Sequence, residues 1–131
     1  MNPTLKFIGK IHSSLKEIQE CPLQEHENAP EAEIIIFDDF IEGTKNITAG
    51  SDILLLTWLH RADRNVIQCI PRREFSSPLI GVFSTRSPDR PNPIGIHSAK
   101  VISISKDGVI RVSALEVLDQ TPLIDIKPVI R

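Results

Sequence analysis

Residues 84–95, "STRSPDRPNPIG", place Arg86 and Arg90 four apart and follow them with Asn92, in a frame set by Pro88, Pro91 and Pro93. Two guanidinium groups and a side-chain amide are suited to a carboxylate, a phosphate or a base edge. Each proline fixes its own φ and turns the residue before it, Ser87, Arg90 or Asn92, away from helical geometry. The segment is therefore stiff without ladder hydrogen bonds, and stiffness lowers the entropy lost on binding. The same residues also suit a plain strand connector whose arginines pair with Asp89, Asp119 or Asp125.

Two further segments carry chemistry-bearing residues. In "LDQTPLIDIKP", 118–128, Asp119, Thr121 and Pro122 read as a turn, after which Asp125 and Lys127 share one face of a strand, where an ion pair between them is expected. In "WLHRAD", His60 ends the most apolar run of the chain, as a rim histidine or a proton acceptor.

Short β-strands must position these residues. "KFIGKIH", "AEIIIF", "ILLLTWL", "LIGVFS", "AKVISIS" and "GVIRVSALEVL" are rich in Ile, Val and Leu, alternate with period two, and are bounded by Pro, Gly, Asp or Ser. Asp107-Gly108 predicts a hairpin between strands ending near Ser105 and starting near Val109. "SLKEIQE" and "DDFIEGTKNI" are the only helix candidates, the second with Asp38 or Asp39 as its cap. Ten prolines argue against long helices. Many short strands in 131 residues must close on themselves or cover their edges, so a mainly β fold follows: one domain, 1–131, a small closed barrel ahead of a sandwich, with one or two short helices. Strand edges left open favour a dimer.

Composition narrows the function classes. The net charge of −2 does not give the whole chain the basic footprint of a nucleic-acid binder. Between residues 17 and 42 the Asp and Glu side chains meet no Lys or Arg, whereas 61–100 holds Arg61, Arg64, Arg72, Arg73, Arg86, Arg90 and Lys100, which permits an anionic partner at mid-chain. Cys21 and Cys69 are too few and too distant in sequence for a disulfide framework, and no metal is implied. No apolar run is long enough for a membrane-spanning helix, and "MNPTLKFIGK" lacks a signal-peptide block, so a cytoplasmic protein is expected. Nucleophile elbow, phosphate loop, zinc helix and dinucleotide fingerprint are all missing.

Together the three segments resemble one family. "GVFSTRSPDRPNPIGIHSAKVISI" is similar to the TsaA/TrmO signature, approximately G-V-F-A-T-R-S-x-x-R-P-N-P-I-G. "FIGKIHS", "CPLQ", "ILLLTWLH" and "LDQTPLIDIKP" extend the resemblance over nearly the whole chain. It implies a small dimeric β-barrel of the TsaA/TrmO type and an S-adenosyl-L-methionine-dependent tRNA methyltransferase. The implied reaction is N6-methylation of N6-threonylcarbamoyladenosine beside the anticodon. By motif, the cofactor pocket would draw on Pro22 and Gln24, His60 and Arg61, Arg86, Ile96, and the turn Asp119, Gln120, Thr121 and Pro122. Asp125 or His60 would accept the proton lost by the acceptor nitrogen, and Arg90, Asn92 and Lys127 would hold the tRNA.

The chain departs from the pattern at two places. Gln120 replaces the glycine of D-G-T-P, where φ is expected to be positive or the backbone to approach the cofactor. "DIKPVIR" replaces D-I-K-P-Y, and the extra C-terminal domain of longer members is expected to be absent. The resemblance leaves two other functions open: methylation of another substrate, and a non-catalytic barrel that senses S-adenosyl-L-methionine.

Overall fold

The computed structural model describes residues 2–17, 29–70 and 78–130. Six strands close a barrel in the order β1 (Gly9–His12), β2 (Ala32–Ile36), β7 (Val109–Val112), β6 (Ile94–Ile104), β3 (Asp52–Trp58) and β8 (Pro122–Pro128), which returns to β1. Every pairing in it is antiparallel. A separate two-stranded sheet joins β4 (Gln68–Cys69) to β5 (Ile80–Gly81). Among the described residues no helix is long and apolar enough to cross a membrane.

Period-two patterning explains the core. Ile53, Leu55 and Thr57 of β3 point inward, and Gly95, His97, Ala99 and Val101 do so from β6. Ile11, Ile34, Ile110, Val112 and Leu123 complete an interior of branched side chains that pack well on pleated surfaces. At the Asp52 end of β3, Phe40 and Ile47 pack against this core from the segment linking β2 to β3. At the Trp58 end the interior turns polar, with Thr57, His97 and Thr121 buried.

The hairpin read from Asp107-Gly108 is present, with Gly108 at φ +82°. Several boundaries differ from the sequence reading. "LIGVFS" forms only the two residues of β5 before a 3-10 turn at Val82–Ser84, because Val82 must bury its side chain while Phe83 stays exposed. β6 begins at Ile94, five residues earlier than Ala99. Beyond Val112 the segment "SALEVL" leaves the ladder, although Leu115 and Val117 remain in the core. "DDFIEGT" is a 3-10 helix whose N-cap is Phe37; neither Asp38 nor Asp39 caps it, since both lie inside its first turn. "SLKEIQE" runs out of the described residues at Glu17.

Candidate functional site

The proline-rich segment 84–93 is built around Arg90. Its Nη2 donates to the Val82 carbonyl at 2.8 Å, and its Nη1 to those of Thr85 and Ser87, each at 3.1 Å. Pro88, Pro91 and Pro93 supply no backbone N–H, so a side chain instead satisfies the carbonyls that this loop turns inward. A second arginine ties the loop to the segment after β3. Arg64 stacks over Trp58, 5.0 Å from the ring centroid, and donates to the Pro91 carbonyl (2.7 Å) and Asn92 Oδ1 (3.3 Å). Asp89 accepts from the Asp63 backbone N–H at 2.8 Å. Arg90 thus engages main chain rather than Asp89, Asp119 or Asp125, the partners that a plain strand connector would give it.

Where this loop, the end of β3 and the segment before β8 meet, a cavity of about 300 Å³ opens. His60, Arg61, Arg86, Ile96 and Thr121 line it, so five residues named from three separate motifs converge there. Arg90 also borders it, although its guanidinium is occupied as described. Arg61 reaches back toward the Lys16 carbonyl (3.5 Å) and Glu17 (3.9 Å). Arg86 is exposed and has no hydrogen bond or ion pair to the described residues. His60 is held below its ordinary value of 6.5, first by desolvation through partial burial and then by the charge of Arg61.

Asp119, Gln120 and Pro122 do not line the cavity; they build the turn that carries Thr121 into it. Asp119 accepts from the Ser13 N–H (2.9 Å) and Lys16 Nζ (2.8 Å), and His12 Nδ1 lies 3.3 Å away. Burial raises its pKa, but the donors Lys16, Ser13 and Gln120 outweigh burial and bring it down to about 2. Gln120 stands at φ +69°, the left-handed conformation anticipated from the glycine it replaces. Pro22 and Gln24 lie outside the described residues.

Asp125 and Lys127 face elsewhere. They line a separate concavity at the other end of β3, and they pair with each other at 3.3 Å. The cause is a β-bulge: Leu56 pairs with Asp125, but Thr57 pairs with Leu123, so the ladder slips between them. One extra residue reverses the inward parity, from Leu123 before the bulge to Ile126 after it. Asp125 Oδ1 accepts the N–H of Ile126, and Asp125 does not share a cavity with His60.

The cavity wall holds two groups that the sequence reading missed. His97 and Glu116 both line it, with side chains only 6% and 9% exposed. His97 Nδ1 bonds Glu116 Oε1, and His97 Nε2 lies 2.8 Å from Thr57 Oγ1. The order Thr–His–carboxylate matches that of a hydrolase triad, but Thr57 is fully buried and does not line the cavity, so its hydroxyl ends the chain rather than attacking a substrate. Glu116 Oε2 is buried and has no partner among the described residues. Gly95 is what makes room: a Cβ there would fall 2.7 Å from both His97 Nε2 and Thr57 Oγ1. The available signal was parity. Starting the strand at Ile94 puts Gly95 and His97 on the inward face with Ala99 and Val101.

Known proteins resemble this chain in sequence and in fold. A family model described as the tRNA-methyltransferase O N-terminal domain matches residues 10–131. A Methanothermobacter thermautotrophicus protein named "Probable S-adenosyl-L-methionine-binding protein" is 36% identical, the match spanning 98% of this chain and 90% of that protein. An Archaeoglobus fulgidus S-adenosyl-L-methionine-binding protein is also 36% identical, over 94% of this chain and 86% of its own length. The crystal structure of TrmO from Pseudomonas aeruginosa superposes with a TM-score of 0.78 at 28% identity, covering 99% of this chain and 57% of that one. The chain therefore spans a little over half the length of that structure.

Proposed function

The chain belongs to the tRNA-methyltransferase O N-terminal domain family, and from that premise we propose that it binds S-adenosyl-L-methionine in the 300 Å³ cavity and transfers its methyl group to tRNA. The acceptor on this reading is N6 of N6-threonylcarbamoyladenosine. The observation that carries the proposal is the convergence of His60, Arg61, Arg86, Ile96 and Thr121 on one cavity.

The residues present suit the cofactor. The cavity volume falls at the lower end of the range for small-molecule sites, about 300–1,000 Å³. Arg86, with no described partner, offers a fork of donors to a carboxylate, while Ile96, Val117 and Leu118 offer apolar wall to a base. When bound, the cofactor supplies an electrophilic methyl group, and the protein has to position the acceptor nitrogen in line with it and take up a proton. On this reading His60, which lines the cavity, takes that proton. Its lowered pKa keeps it neutral near pH 7, whereas Asp125 belongs to the other concavity.

The RNA side is proposed to rest on exposed cations that line the cavity, Arg61 and Arg86, with Asn92, which is bonded to Arg64 and does not line the cavity, as a further contact. Arg90 serves this side by holding the loop's shape, and Lys127 lies apart from it. We also propose a homodimer. Phe83 is 81% exposed, and Ile67, Ile70 and Leu79 beside the small sheet are exposed with it, an apolar group that a second copy would cover.

A second reading, a barrel that binds the cofactor without methylating RNA, draws on the intramolecular engagement of Arg90 and Lys127 and on the net charge of −2. Incubation with methyl-labelled S-adenosyl-L-methionine and tRNA, from cells that do and do not make threonylcarbamoyladenosine, separates the two. Label confined to the modified tRNA is expected. Cofactor binding by calorimetry with no label in either tRNA would favour the second reading.

A further inference from the structure

We propose that Glu116 is the acidic pole of the cavity and receives the cationic part of the cofactor, its ammonium or its sulfonium group; this rests on the cofactor reading above. A buried carboxylate oxygen is seldom left without a partner, so one that is calls for an explanation. Here Oε1 is engaged by His97 while Oε2 is buried without a described partner, on a side chain that lines the cavity. A ligand group that donates a hydrogen bond or brings positive charge satisfies that oxygen.

The charge layout of the cavity gives the direction. Arg61 and Arg86 border it as cations, and Arg90 turns its charge onto backbone carbonyls. Of the carboxylates at the wall, Asp89 already accepts the Asp63 N–H. Glu116 is then the wall carboxylate with a buried oxygen left unpartnered among the described residues, on a different chain segment from Arg86. A zwitterionic amino-acid tail or a sulfonium fits a site with one cationic and one anionic side. His97 and Thr57 act as positioning residues: the bonds from Thr57 Oγ1 to Nε2 and from Nδ1 to Oε1 set which carboxylate oxygen remains free.

Calorimetry on the wild type and Glu116→Gln, with S-adenosyl-L-methionine, S-adenosyl-L-homocysteine and adenosine, tests this. The substitution keeps shape and removes charge. Loss of at least tenfold in affinity for both charged ligands, with adenosine binding unchanged, places the ammonium at Glu116. Loss for S-adenosyl-L-methionine alone places the sulfonium there, because the homocysteine product keeps the ammonium. Unchanged affinity for all ligands, or an equal fall that includes adenosine, overturns the proposal while leaving the cavity's cofactor role standing. No binding by the wild type overturns the cofactor reading and this proposal with it. Should the variant fail to fold, the wild type alone decides: equal affinity for S-adenosyl-L-methionine, S-adenosyl-L-homocysteine and the deaminated homocysteine product, which lacks the ammonium, would sink the assignment.

Discussion

Arg90 Nη2 donates to the carbonyl of Val82, eight residues upstream, at 2.8 Å, and closes the proline-rich loop on itself. Two more carbonyls share the same guanidinium. The loop's form thus depends on one side chain, whereas Arg86, four residues earlier, makes no described contact of this kind.

Arg90→Ala is accordingly expected to cost about 2–3 kcal/mol, since it leaves partly buried carbonyls without a charged donor. The midpoint of thermal unfolding should fall by several degrees, and Arg90→Lys should recover little because an ammonium lacks the planar fork. Arg86→Ala should leave the midpoint unchanged and weaken S-adenosyl-L-methionine binding about tenfold. Equal melting temperatures for both variants and the wild type would show that the loop does not need Arg90.

Gly95 tests the packing beneath the cavity. Its absent side chain leaves the space through which Thr57 and His97 meet, with a Cβ reaching within 2.7 Å of each. Gly95→Ala should therefore cost about 1–3 kcal/mol by overpacking a buried site, and adding His97→Ala should recover part of that loss. Additive losses in the double variant, read by chemical denaturation, would contradict the close approach.

How much of this was legible in the sequence depended on how local the determining physics is. The Asp107-Gly108 hairpin needs only a residue pair and its neighbours, and it is where the sequence placed it. The convergence on the cavity came through motif: Thr121 and Arg86, both named from the resemblance, line it. Asp125 was misplaced because a bulge opposite Leu56 and Thr57 depends on the partner strand, which no alternation within "LIDIKP" reveals. His97 and Glu116 were hidden for a related reason: their pairing spans two segments, and the strand that turns His97 inward starts five residues before the apolar run suggests. Arg90 looked like a ligand residue because an arginine bound to carbonyls and an arginine awaiting a ligand have the same letter.

Gln120 gives a prediction of gain. A non-glycine residue in the left-handed region is strained by about 1 kcal/mol or more, and glycine removes that strain while adding some freedom to the unfolded chain. Its side chain adds only one long hydrogen bond, 3.3 Å to Asp119 Oδ2. Gln120→Gly is expected to raise the melting temperature by about 2–4 °C. Gln120→Val, β-branched, should lower it. A fall with glycine would mean that the side chain holds the turn more firmly than its single bond implies.

Asp119 predicts how stability changes in acid. Its donors hold it at about 2 against an ordinary value of 3.8, so the folded state binds the proton less readily than the unfolded chain. A depressed carboxylate contributes stability that is complete above pH 4 and is lost as pH falls toward 2. The contribution is about 1–2 kcal/mol, allowing for the partial exposure of the Lys16 partner. Asp119→Asn should remove it, leaving a protein that is less stable near neutrality and whose unfolding free energy falls less steeply between pH 4 and pH 2. Because the same carboxylate pins Ser13 and Lys16 to the turn that presents Thr121, the variant should also bind S-adenosyl-L-methionine more weakly at pH 7. Parallel acid titrations of the two proteins would show the carboxylate to be a minor anchor if their slopes coincide.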